Sequence, residues 1–109
     1  MKIPEEAVIP DEKITRYLLV WKTRNDKSKF LAQAGFTQNK AEDLKLALQI
    51  LIKNYEAVED GENEYGIFYQ VRGILMGING VNLNIITIWL KRKVDHQFQF
   101  VTLKPFRGI

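Results

Sequence analysis

No cysteine occurs among the 109 residues, which excludes disulfides, thiolate metal sites and a cysteine nucleophile. A lone histidine, His96, leaves little from which to build a zinc centre, and no metal or other cofactor is expected. Long hydrophobic runs are missing as well. The longest, Val81 to Leu90, is broken by Asn82, Asn84 and Thr87, far short of the ~20 apolar residues that a membrane helix needs. At the N-terminus, Pro4 and Pro10 stand among Glu5, Glu6, Asp11 and Glu12, where a signal peptide would be apolar; a soluble, cytoplasmic protein with no membrane contact is expected. Walker loops, GxSxG, HExxH and GxGxxG motifs are likewise absent, which removes most enzyme classes but leaves metal-free acid/base chemistry.

What is present is ordinary globular composition, 46% hydrophobic and 27% charged, at a length suited to one domain over residues 1–109. A net charge of +3 is only mildly basic, but it is unevenly placed. Lys13, Arg16, Lys22, Arg24, Lys27 and Lys29 crowd one segment, and Lys91, Arg92, Lys93, Lys104 and Arg107 another, while Glu56, Glu59, Asp60, Glu62 and Glu64 lie between them. If the basic segments meet, they form a patch that attracts phosphates; otherwise they are solvated surface.

Ile14, Tyr17 and Leu18 repeat at helical spacing after Pro10 and Asp11, predicting a short first helix. A second, capped by Asn25 or Asp26, should run to Ala34 and close at Gly35 with Phe36 packed back on Leu31. A third is predicted over residues 39–53, with a capping box formed by Asn39 and Glu42 and an apolar face of Ala41, Leu44, Leu48, Leu51 and Tyr55. From Tyr55 the period changes to alternation, rich in β-branched and aromatic residues. The fold class is therefore α+β: two or three N-terminal helices packed on one face of a roughly four-stranded antiparallel meander.

Asn79-Gly80 signals a hairpin tip, and a two-residue turn there pairs Ile78 with Val81. That register sets Arg72 opposite Thr87 and Gln70 opposite Trp89 on an outer face. Phe68, Ile74, Met76, Leu83 and Ile85 join them, with Phe98, Phe100 and Thr102 of the last strand. Ile67, Tyr69, Val71, Leu75, Ile86, Ile88 and Leu90 then face the helices, and the expected core is Val71, Ile86 and Ile88 with Leu44, Leu48 and Leu51. Arg72, midway along a strand, needs water or a partner, either an anion held with Thr87 and Thr102 or the Trp89 ring. His96 can act as a general base or be an ordinary loop residue. The apolar surroundings of Arg72 also suit a homodimer interface or cover by the N-terminal segment.

The segments IPDEKITRYLL, NDKSKFLAQAGF, EYGIFYQVRGILMGINGVNLNIITIWL and FVTLKP resemble a family of small bacterial proteins whose domains also form the C-termini of polymorphic toxins. The resemblance runs from about Ile9 to Pro105, departing at Val20 and Gln99. It implies membership of the barnase/EndoU/RelE-like ribonuclease group, which acts on RNA without metal, and assigns polar site roles to Lys27, Arg72, Thr87 and Thr102. Two readings follow. In one, Arg72 and Lys27 hold an RNA phosphate, Thr87 and Thr102 orient it, and His96 or Glu64 carries a proton while the ribose 2′-OH attacks. In the other, the chain is a non-catalytic interaction module, a homodimer or a binder of a small protein.

Overall fold

The structure, a computed structural model, describes residues 1–19 and 27–106. The caps expected at Asn25 and Asp26, together with Val20, Lys22, Arg24 and Arg107, lie outside the described residues. A π-helical turn, Lys13–Leu18, is followed by α1 (Lys27–Ala32), a 3₁₀ turn (Gln38–Lys40) and α2 (Ala41–Asn54). Then come β1 (Ala57–Asn63), β2 (Gly66–Met76), β3 (Asn82–Arg92) and β4 (Phe98–Pro105), an antiparallel sheet in the order β1-β2-β3-β4. Helices followed by an antiparallel meander are the α+β fold that the change of period near Tyr55 predicts.

The helical half follows its apolar spacing. Ile14 and Leu18 are buried, and Leu44, Leu48 and Leu51 of α2 turn inward together. Gly35, at φ 88°, ends α1: its N–H donates to the Ala32 carbonyl at 3.0 Å and that of Phe36 to the Leu31 carbonyl at 3.1 Å. These are the paired bonds of a Schellman ending, and both Leu31 and Phe36 are fully buried. The capping box at Asn39 does not form; the 3₁₀ turn leads straight into α2, whose N-cap, Lys40, makes no side-chain capping bond.

In the sheet, one expectation is corrected. β2 and β3 pair Met76 with Asn82, Val71 with Thr87 and Tyr69 with Trp89, one residue out of step with a two-residue turn. The loop from Gly77 to Val81 holds an odd number of residues because it docks on the end of α1. Ile78 N–H donates to the Ala34 carbonyl at 3.0 Å, and Asn79 Nδ2 to that of Gln33 at 3.0 Å. A Cβ on Gly77 would collide with the Val81 carbonyl and stand 2.7 Å from Ala34 Cβ. Because side chains alternate, the single step turns all of β3 over. Leu83, Ile85, Thr87 and Trp89 face the helices, whereas Ile86, Ile88 and Leu90, expected in the core, lie half-buried on the outer face. β2 keeps its expected faces, with Val71 and Leu75 fully buried and Arg72 exposed.

A second irregularity sits in β4. Trp89 pairs with Phe100 but Ile88 with Thr102, so Val101 is an extra residue. Phe100 and Thr102, two apart, consequently point to opposite faces. Phe100 packs edge-on against Trp89, with ring centroids 5.3 Å apart, and Phe98 meets Tyr69 at 5.6 Å. Neither Phe98 nor Phe100 stands with Arg72, as the sequence led us to expect.

The N-terminal segment lies on the helical side rather than over the outer face. Ile3 and Ile9 are buried in the core, Glu5 reaches Lys53 of α2 at 3.4 Å, and Val8 exchanges backbone hydrogen bonds with Phe98 and Phe100 along the edge of β4. The opposite edge strand, β1, is acidic and bulged between Glu59 and Glu62, both of which discourage edge-to-edge pairing.

Candidate functional site

The outer face is built from side chains that stand in rows across β2, β3 and β4. Arg72 is opposite Ile86, and Ile86 opposite Lys104; the next row along is Gln70, Ile88 and Thr102, and the next Phe68, Leu90 and Gln99. Two cations thus flank one apolar residue, with backbones about 10 Å apart across two strand spacings. A third cation joins them, since Lys27 Nζ at the start of α1 donates to Thr102 Oγ1 at 2.9 Å.

The Arg72 head group is held by two neighbours. Its Nε donates to Gln70 Oε1 at 3.3 Å, and its guanidinium lies 5.1 Å from the centre of the Phe106 ring, which follows β4 and is pinned by its own N–H on the Asn84 carbonyl at 2.9 Å. Phe106 therefore takes the stacking position expected of Trp89, whose ring is fully buried on the other side of the sheet. Glu56, Val58, Gln70 and Arg72 line a shallow hollow of about 310 Å³. The Met1 ammonium, 2.9 Å from Glu56, holds that carboxyl below the usual carboxylate range by hydrogen bonding and charge.

Of the residues singled out in the sequence, the structure brings Arg72, Thr102 and Lys27 to one face and separates two others. Thr87 is corrected to the core: it is fully buried, its Oγ1 donates to the Val71 carbonyl at 3.1 Å, and it accepts from Trp89 Nε1 at 2.8 Å. With both of those bonds made inside the sheet, it does not reach Arg72 on the opposite face. His96 sits in the β3–β4 turn at φ 61°, its N–H donating to the Arg92 carbonyl at 2.8 Å. From Arg92 to the Ile86 row is about 20 Å of strand. His96 borders Pro4, Ala7 and Phe98 instead. Among the described residues no cluster of three or more His, Cys, Asp and Glu side chains is placed to hold a metal.

Lys104 enters the sequence reading only as one member of a basic segment, and Phe106 does not enter it at all. Alternation from Thr102 places Lys104 on its face, a signal that was available. Phe106 follows the same rule, since its N–H on the Asn84 carbonyl continues the β3–β4 ladder one step past the Ile85–Pro105 pair and alternation carries its ring to the Thr102 and Lys104 face.

No curated protein matches the chain. Among solved structures, a chain of the contact-dependent growth inhibition toxin–immunity protein complex from Klebsiella pneumoniae 342 has the same fold. Its TM-score is 0.72 over 94% of this chain and 96% of that one, at 18% identity. The family model for the domain of unknown function DUF6883 matches residues 2–107, so the chain belongs to the DUF6883 family.

Proposed function

We propose that this chain is a toxin-type domain whose outer sheet face binds the phosphate backbone of RNA. The observation that carries the reading is the convergence of Arg72, Lys104 and the Thr102-bonded Lys27 on one face, from three separate elements. Arg72 and Lys104 stand on either side of half-buried Ile86, and a phosphate placed over Ile86 relieves their mutual repulsion while accepting the N–H groups of Arg72. The fold shared with a chain of a toxin–immunity complex agrees with this reading. Thr87 has no part in it, and His96 is too distant to move a proton at Arg72. The carboxylate that borders Arg72 is Glu56.

Fluorescence anisotropy with a short single-stranded RNA tests the proposal. Three phosphate contacts give a logarithmic salt slope of about −2, a loss of roughly 20-fold between 50 and 200 mM salt. Arg72→Ala should weaken binding and flatten the slope by about 0.7, whereas Lys40→Ala, on the helical side, should do neither. Equal effects of the two substitutions, or no binding at low salt, would refute it. Cleavage of the same RNA that persists with a chelator and disappears in Arg72→Ala would extend the reading to a metal-free ribonuclease. Binding without cleavage would leave a binding domain.

A second reading, a protein-binding module, is favoured by a groove of about 410 Å³ between α2 and the β2–β3 hairpin. Leu46, Ile50, Ile74, Met76 and Ile78 are all exposed there. The immunity protein in the neighbour's complex makes a small protein a natural occupant. Added partner should then bind without competing with RNA at Arg72.

A further inference from the structure

The rows of the outer face do not stop at the cationic end. Beyond Phe68, Leu90 and Gln99 comes a row of Gly66 and Arg92, and there the face opens into a hollow of about 470 Å³. Its wall is Tyr65, 65% exposed, with Leu90 as its floor and Arg92, Lys93, Gln99 and Glu64 around it. Tyr65 is held from behind. Its carbonyl accepts from Lys93 N–H at 2.9 Å, and its N–H donates to Asn63 Oδ1 at 2.9 Å, so the backbone carrying the ring is fixed although the ring is open to solvent. Arg92 is steadied by Asp95, 3.5 Å from its Nε.

A large aromatic ring left in water on a fixed turn, beside two cations and over an apolar floor, is the arrangement on which an unpaired nucleobase stacks. We infer that this hollow is a base-stacking subsite, with the base between Tyr65 and Leu90, its edge toward the acceptor groups of Gln99 and Glu64, and the adjoining phosphate toward Arg92 and Lys93. The inference rests on the RNA-binding reading of the same face and narrows it to single-stranded RNA. The subsite stands about 13 Å (at Leu90) to about 20 Å (at Arg92) along the strands from the Arg72 row, a span that takes a few nucleotides. A duplex, whose bases are already stacked and whose edges are paired, cannot place a base in the hollow without being opened.

The test uses the full chain and three labelled oligomers of equal length: single-stranded RNA, its duplex, and the same phosphodiester backbone without bases. Single-stranded RNA should bind more tightly than either of the others. Tyr65→Ala should weaken it on the order of tenfold, leave the base-free oligomer and the salt slope unchanged, and be rescued by Tyr65→Phe. Tyr65 is exposed, so these variants test the ring and not the fold. If Tyr65→Ala leaves single-stranded RNA unaffected while Arg72→Ala still weakens it, the stacking subsite is overturned and the phosphate-binding face stands. If no oligomer binds at low salt, both are overturned.

Discussion

The one-residue step between β2 and β3 decides which side of the sheet Thr87 occupies, and Thr87→Val measures it. Valine has nearly the shape of threonine, so little packing is lost and only the hydroxyl is removed. In the structure that hydroxyl accepts from Trp89 Nε1 at 2.8 Å and donates to the Val71 carbonyl at 3.1 Å, with both Thr87 and Trp89 fully buried. The Val71 carbonyl loses one donor, but the indole N–H loses its acceptor in a place water does not reach. An orphaned buried donor costs about 1–3 kcal/mol, and this term dominates the change. With Thr87 on the outer face, as a two-residue turn would place it, the same substitution would fall within about 0.5 kcal/mol of zero.

Urea titration followed by circular dichroism reads the difference through the midpoint at unchanged slope; in a thermal melt it corresponds to roughly 4 °C for each kcal/mol. The cause is isolated by repeating the substitution in Trp89→Phe, where the donor is already gone. Thr87→Val should then cost less, with a coupling of about 1 kcal/mol or more. A loss below about 0.5 kcal/mol in the unmodified chain, or equal losses in both backgrounds, would refute the register and the burial argued from it.

The neighbouring isoleucines give an independent measurement of the same step: Ile85→Ala should cost about 2–5 kcal/mol and Ile86→Ala about 1 kcal/mol or less, and a reversed order in denaturant titrations would contradict the faces assigned to β3. Gly77→Ala should destabilise by about 1–3 kcal/mol, because its methyl group has to displace the Val81 carbonyl and Ala34; faster hydrogen exchange at the Ile78 amide, which bonds to Ala34, should accompany the loss, and unchanged exchange there would count against the docked loop.

The sequence made the order of elements legible because the signals there are local. Helical spacing at Ile14 and Leu18 and again from Ala41 to Leu51, Gly35 after α1 and alternation after Tyr55 each specify a few adjacent residues, and each reappears in the structure. The faces of β3 differ from those that alternation and a two-residue turn predict because they depend on a contact made far along the chain. Asn79-Gly80 does lie at the tip, but its loop bonds to Gln33 and Ala34, and that tertiary contact overrides the two-residue turn that the dipeptide favours locally. Hydrophobicity could not arbitrate. Leu83, Ile85 and Trp89 on one side and Ile86, Ile88 and Leu90 on the other are equally apolar, so either face of β3 makes an acceptable core. Arg72 and Thr102 were assigned to the correct face, Arg72 because β2 alternates more sharply between polar and apolar. Thr102 kept its face only because the bulge at Val101 intervenes in β4.

The same step changes the chemical character of the outer face. With Thr87 and Trp89 on it, Arg72 would have a hydroxyl and an indole beside it, a polar pocket suited to gripping a single anion. Turning β3 over replaces both with Ile86, Ile88 and Leu90, so that the middle strand presents apolar side chains and the polar groups stand to either side: Arg72 and Gln70 on β2, and Lys104, Thr102 and Gln99 on β4. A ligand that meets one cation on either side of a hydrocarbon strip has to offer both charge and flat apolar groups along its length. Inorganic phosphate fulfils only the first condition and an apolar peptide only part of the second. On the proposed reading a single strand of RNA fulfils both, with a phosphate over Ile86 between Arg72 and Lys104 and bases against Ile88 and Leu90 farther along the strand. Affinity on this face should therefore grow with the number of unpaired bases as well as with the number of phosphates, and length series of single-stranded RNA and of inorganic polyphosphate should diverge. Parallel series would mean that charge alone is recognised.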